Sequence, residues 1–327
     1  MNLRFHSGLR YVQKSDDEIL FSFYHDGENY FRVAYPAISD YWQQLQRCLR
    51  QNVAIPAELG PLVDKLLSCG VLVRELNSSS NIAELSDIYF SLSDEKASQL
   101  ETTPILIGGQ PNFAQDFTDA FHEWGMKACT LLPHNQGQLP NIPEKAIVVI
   151  VDHMPGDMVR SYHFHAMKLH YPFLPVRLNG FSAVVGPFVI PGESACYHCY
   201  EMRYQSNLQH FREYKTFLNN EAYAENAGAN KHTTAIVSRL VATETIKYCL
   251  GRHVSESPMA VHDAVCYPHT INKILCMDNW QFSFELHSLI KYPRCPACGL
   301  KNKEKSTVKP WMDYYQYQKM ESAPTHV

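Results

Sequence analysis

Two cysteine pairs of the form CxxC stand nearly a hundred residues apart, Cys196 with Cys199 in "SACYHCYEMR" and Cys295 with Cys298 in "YPRCPACGL". A fold that brings them together is stapled across a large part of its length. A single pair reads equally as a disulfide switch, half of a metal site or chance. Two pairs can supply the four thiolates that tetrahedral zinc takes at roughly 2.3 Å, a closed set that leaves no position for water and so a structural site. The bland alternative is two unrelated buried pairs. Pro296 inside the second pair and Gly299 after it favour the metal, since they make a tight turn whose backbone amides point at thiolate sulfur. The other six cysteines (Cys48, Cys69, Cys129, Cys249, Cys266, Cys276) lie singly in apolar or strand-like surroundings. There a free cysteine behaves as a small buried hydrophobe.

Composition narrows the classes. A chain of 327 residues has room for two domains, and 45% hydrophobic with 19% charged residues is ordinary for a globular protein, so disorder is not the default. Aromatic residues, at 12%, are somewhat rich, as on peptide- and protein-binding surfaces. The start "MNLRFHSGLRYVQKSDDE" has no apolar core of a signal peptide, and no run of about eighteen apolar residues occurs. The expectation is a cytoplasmic protein without a membrane segment, in whose reducing surroundings paired CxxC motifs mean metal more often than disulfide. A formal charge of −4 argues against duplex nucleic acid as a partner.

Residues 1 to 76 read as a small unit. "LRYVQKS", "EILFSFY" and "NYFRVAY" are separated by turn signals and predict a three-stranded antiparallel meander. Helical periodicity follows: Ile38, Trp42, Leu45, Cys48 and Leu49 share one face, and Leu59, Leu62, Val63, Leu66 and Leu67 precede Gly70. "VLVREL" closes the unit as a strand or helix-ending segment. Three strands with short helices make a winged-helix-like module. The polar stretch 77 to 101 reads as a linker. From 102 to 300, strands such as "PILIGG" and "KAIVVIVD" alternate with amphipathic helices, as in a doubly wound, Rossmann-type α/β domain with a parallel sheet covered on both faces. A long helix, "TTAIVSRLVATETIKYCLG", two strand-like runs and a charged tail, 301 to 327, complete the chain.

"GPFVIPGESACYHCYEMR", the long helix about thirty residues on and the terminal "YPRCPACG" resemble the ThiF-like (ubiquitin-activating-enzyme-like) partner subunits of YcaO cyclodehydratases, which serve azole and azoline peptide biosynthesis. Residues 1 to 76 are similar to the PqqD-like RiPP recognition element. The resemblance covers nearly the whole chain, most strongly at 186 to 203 and 290 to 299. It implies a tetrathiolate zinc at Cys196, Cys199, Cys295 and Cys298, a precursor leader peptide as ligand, a YcaO cyclodehydratase and a flavin dehydrogenase as partners, and a homodimer. It also points to the peptide site: the edge of the third strand, Tyr30, Phe31, Arg32, Val33, Ala34 and Tyr35, with the facing helix around Leu62, Lys65 and Leu66. Phe31, Val33 and Tyr35 face one way and Tyr30, Arg32 and Ala34 the other, so one set is core. Each of these residues, taken singly, could equally serve only to pack the module.

Active members of that family bring glycine-rich backbone against nucleotide phosphate at a helix N-terminus. Here the turn is "IGGQPNFAQDF": Gly108 and Gly109 survive, Pro111 removes a donor, and Asn112 and Phe113 stand where glycines allow close approach. The acidic residue expected after the second strand is replaced by His134 and Asn135. Asp152 and Asp157 stand near the family's magnesium-binding aspartate, although a strand-end Asp is more often a cap or turn residue. ATP binding by this chain is therefore expected to be lost, with no catalytic residue remaining.

The module's helix "LGPLVDKLLSCG" carries too few basic or amide groups to read a DNA groove. Strand addition of a peptide to a sheet edge is the alternative use. The implied role is a non-catalytic scaffold that presents a precursor peptide for thiazoline or oxazoline formation. Its rival is an ATP-dependent adenylating enzyme of ThiF/MoeB type with a divergent site. His163, His165 and His170 read as helix-face or partly buried residues, and Ser238 with His232 lacks the geometry of a hydrolase.

Overall fold

The computed structural model describes residues 3–23, 30–76, 81–87, 92–109, 111–133, 139–152, 157–218, 230–251 and 267–299. Cys266, His134, Asn135 and the tail lie outside them, as do the side chains of Tyr30, Phe31, Pro111, Asn112 and Asp157.

The N-terminal module begins with β1 (Leu3–Phe5), followed by the expected meander: β2 (Leu9–Ser15), β3 (Glu18–Phe23) and β4 (Tyr30–Ala34), in the antiparallel order β2-β3-β4. Alternation puts Ile19 and Phe21 of β3 and Val33 of β4 in the core. Helices α1 (Ile38–Gln51) and α2 (Gly60–Ser68) close over them with Ile38, Trp42 and Leu45, then Leu62, Val63 and Leu66, all buried. Trp42 meets Phe21 edge-on, with ring centroids 5.0 Å apart. Each such side chain contributes about 2 kcal/mol on burial.

The resemblance implies a module of three strands and three helices, and the described residues show two features beside the meander, α1 and α2. Short β1 pairs with β5 (Leu72–Arg74) in a second, two-stranded sheet. Between α1 and α2 the chain makes a 3-10 turn, Ala57–Leu59, which leads straight into α2, where Pro61 sits in the first turn, a position that needs no backbone donor. A three-residue strand carries no periodicity, and only its partner some seventy residues away makes it one.

The body is built on a seven-stranded sheet. Its strands are β6 (Ile105–Gly109), β7 (Cys129–Leu131), β8 (Ile147–Asp152), β9 (Phe173–Asn179), β10 (Ser182–Val185), β11 (Lys273–Asp278) and β12 (Ser283–Ser288), ordered β12-β11-β10-β9-β8-β6-β7. The run β7-β6-β8-β9 is parallel, and β9 to β12 are antiparallel. Every residue of β8 is buried, as a strand covered on both faces requires.

One face carries α3 (Asp94–Thr102), α4 (Pro111–Glu123) and α8 (Lys231–Gly251). The other carries α5 (Asp157–Leu169) and α6 (Tyr197–Ser206), with α7 (Phe211–Leu218) following α6. Buried Glu244 of α8 accepts from the Thr270 amide and hydroxyl, both at 2.9 Å, and so anchors the approach to β11. No helix among the described residues is long and apolar enough to cross a membrane.

The stretch read as a linker is corrected. Ile82, Leu85, Leu92, Ala97 and Leu100 belong to the core of the body, together with Leu76. Ser93 caps α3 by accepting from the Lys96 amide, and Asp94 and Glu95 occupy the first turn, favourable for the helix dipole. The serines and acids that signalled a linker are, around α3, a helix start.

Candidate functional site

The two cysteine pairs meet on the α5/α6 face. Cys196 is the N-cap of α6 and Cys199 lies in its first turn. Cys295 and Cys298 follow β12 in a tight turn closed by the Gly299 amide donating to the Cys295 carbonyl at 2.7 Å. Gly299 is required there, since a Cβ would meet the backbone of Pro293 and Cys295. Sulfur separations are 3.8 Å (Cys196–Cys199), 3.6 Å (Cys196–Cys295) and 3.4 Å (Cys199–Cys298), and all four sulfurs lie within 4.8 Å of one another. No disulfide joins the described cysteines.

A tetrahedron with 2.3 Å arms has edges of about 3.8 Å, so this cluster could hold a metal ion. Burial raises the Cys196 thiol well above the ordinary range and pushes Cys298 up to about 12. Buried thiols of this kind ionise together only when a cation neutralises them. The Tyr292 amide, upstream of the proline-glycine turn, donates to the Cys199 sulfur at 3.3 Å, while the turn's own Gly299 amide goes to a carbonyl.

Doubly wound sheets usually open a ligand crevice at the C-terminal ends of their parallel strands, and the described side chains near the ends of β8 and β9 pack closely. Among the described residues, about 10 Å³ remains between Asp152, Arg177, Tyr197, Tyr200 and neighbours, beside β8, β9 and β10; residues 110, 134–138 and 153–156, which follow β6, β7 and β8, lie outside the described residues. Arg177, from the end of β9, lies 5.3 Å from the centre of the Tyr204 ring and donates to the Tyr200 hydroxyl at 3.4 Å. Arg160 of α5 pairs with buried Glu201 of α6 at 2.7 Å.

The two glycines of the turn have packing reasons of their own. A Cβ on Gly109, whose φ is 138°, would fall on the Val151 carbonyl, and one on Gly108 would come within 2.6 Å of Ile150 Cδ1. Phe113 is buried in the core. The side chain of Asp152 is buried at the end of β8.

Sequence reasoning missed Arg177 and the tyrosines. The signal was present: Tyr197, Tyr200 and Tyr204 recur at intervals of three and four, one face of a helix.

In the module, β4 is an edge strand among the described residues. The Tyr35 amide donates to the Asp17 carbonyl. By alternation, the amides and carbonyls of Arg32 and Ala34 point away from β3 to the open side. Lys65 of α2 donates its ammonium to the Ala34 carbonyl at 3.0 Å, which fixes the outward direction independently. The Arg32 side chain is exposed and Val33 is core. Leu62 and Leu66 are fully buried, with no surface left for a ligand in this conformation. Tyr35 packs partly buried beside them.

The three histidines do not assemble. His163 is buried with its Nε2 lacking a hydrogen-bond partner, and burial, helped by His198, lowers it to about 4. His165 meets the Tyr171 hydroxyl at 3.0 Å. His170 ends the helix at φ 59°.

No protein-family model matches the sequence. No curated protein matches it either. Solved structures do match. A heterocyclase in complex with substrate and cofactor aligns over 91% of this chain and 39% of its own, with TM-score 0.67 and 17% identity. The heterocyclase TruD aligns over 98% and 47%, with TM-score 0.67 and 16% identity. MccB of E. coli aligns over 94% and 100%, with TM-score 0.57 and 12% identity. The chain spans less than half the length of either heterocyclase and the whole of MccB. At these identities the likeness shows the fold: an architecture shared with MccB throughout and with one part of each heterocyclase.

Proposed function

We propose that this chain is the ThiF-like, leader-binding partner subunit of a YcaO cyclodehydratase, and that it supplies proximity instead of chemistry. Its N-terminal module acts as a PqqD-like recognition element that takes up the leader of a ribosomal precursor peptide. A separate YcaO protein spends ATP to close thiazoline or oxazoline rings, and a flavin dehydrogenase can follow it. The observation that carries the reading is the outward-facing backbone of Arg32 and Ala34, an open edge that a peptide can extend as a further strand. Tethering substrate near a catalyst raises apparent affinity by orders of magnitude without new catalytic groups. The ion of the cysteine cluster is structural zinc, in keeping with four thiolates and no open ligand position.

The heterocyclases' likeness supports the assignment, because each joins an equivalent of this chain to further protein in one polypeptide. The close packing at Gly108 and Gly109 gives both glycines a reason that does not involve a nucleotide, in keeping with the lost phosphate turn. The second reading, an adenylating enzyme, is favoured by the full-length match to MccB, whose structures include one with ATP.

Two assays on the full chain separate the readings: binding of a fluorescent leader peptide from a precursor encoded beside this gene, and ATP–pyrophosphate exchange. Submicromolar peptide binding without exchange supports the scaffold; exchange without peptide binding sinks it. The proposal includes a homodimer.

A further inference from the structure

Among the described residues, exposed apolar side chains gather along β12 and its hairpin: Trp280 (73% exposed), Phe282 (82%), Phe284 (55%), Leu286 (42%) and, just beyond, Ile290 (69%). Among the described residues no strand pairs with the outer side of β12. Proteins usually blunt such an edge with lysine, proline, a bulge or shortness. The opposite edge of this sheet, β7, is only three residues long. By contrast β12, "SFELHS", is six residues in unbroken register with β11 and contains neither lysine nor proline.

The direction of its free groups is fixed. The Leu289 amide donates to the Asn272 carbonyl at 2.8 Å, and Leu289 and Asn272 extend the β11–β12 register. Ser283, Glu285 and His287 therefore bond inward to β11, while the amides and carbonyls of Phe284, Leu286 and Ser288 point outward.

We infer that β12 is a homodimer interface, in which two copies pair their edges antiparallel about a two-fold axis through Leu286. In that register the Leu286 residues exchange both hydrogen bonds, Phe284 pairs with Ser288, and every outward group meets an outward group. Glu285 of each copy then lies opposite His287 of the other, two pairs in which an imidazole N–H can donate to a carboxylate. Within one chain the two already lie 3.2 Å apart, Glu285 Oε2 to His287 Nε2. Shifting the axis to residue 285 sets glutamate against glutamate, and shifting it to 287 sets each glutamate against Leu289, so only the axis at Leu286 keeps both Glu285–His287 pairs. A two-fold interface of this kind is self-complementary by construction. The two seven-stranded sheets become one of fourteen strands.

This deepens the homodimer of the proposed function and rests on it, but not on peptide recognition, so both are measured on the same samples. Sedimentation of the full chain is expected to show a dimer. Leu286→Pro removes an outward amide without touching the β11 ladder and is expected to give a monomer with unchanged metal content. Glu285→Lys and His287→Glu are each expected to weaken the dimer at least tenfold, and the double exchange to restore it. A monomeric wild-type chain that still binds the leader peptide overturns the interface while leaving the recognition reading standing. So does a dimer indifferent to Leu286→Pro and to both charge changes. Failure of the double exchange to restore association overturns the register.

Discussion

Each of the two larger sheets has one blunted edge and one open edge, and the two open edges differ in kind. In the module, the blunt edge is β2, bulged between Gln13 and Ser15 and carrying exposed Lys14. Its open edge, β4, has a helix beside it, and Lys65 of that helix already takes one outward carbonyl. In the body, β7 is blunt by shortness, whereas β12 is exposed on both faces and reads alike from either end of its Glu285–His287 pair. An edge with a flanking helix and a basic group suits a single foreign strand. A flat, self-complementary edge suits a copy of itself. The difference teaches that open edges are told apart by what flanks them, since their backbones are chemically alike.

The comparison can be broken most severely at the cysteine cluster, because β12 runs directly into Cys295 and Cys298. Cys295→Ser is expected to abolish metal binding and destabilise the body by more than ~4 kcal/mol, read as metal content and a separate, lowered melting transition. Dimerisation should go with it, while the module's transition stays in place. The converse change is Trp42→Ala, which empties the core under β3 and β4 and should cost about 3 kcal/mol. Peptide binding is then lost, with metal content and sedimentation unchanged. If either variant melts both regions together, the two edges do not belong to independently stabilised units.

Smaller changes address single groups. Arg32→Pro removes one outward amide from β4 without breaking its ladder to β3, and should weaken leader binding about tenfold, or 1.4 kcal/mol, by fluorescence anisotropy. The dimer should not respond. Lys65→Met frees the Ala34 carbonyl and removes an exposed bond, so stability should change by less than ~1 kcal/mol in a thermal melt.

Much of the local structure was legible in advance. The meander followed from three aromatic and β-branched runs between turn residues, and the parallel strand Ile147–Asp152 from an unbroken apolar run. The cysteine cluster was legible because CxxC spacing with Pro and Gly encodes its own turn. Residues 77 to 101 were misread for a physical reason: Ser93, Asp94 and Glu95 serve a helix start as well as they serve a linker, and only the apolar surface awaiting Leu92, Ala97 and Leu100 decides between them.

The chain by itself determined what depends on neighbours a few residues away: periodicity, caps, turns and the local geometry of each cysteine pair. Tertiary structure alone decided which strands end the sheets, that β1 pairs with β5, and that Leu62 and Leu66 are core. It also decided that Arg177 of β9 meets Tyr200 and Tyr204 of α6. These outcomes depend on register between distant segments. A one-residue slip reverses the face of every side chain and the direction of every free amide, so no local pattern can carry them.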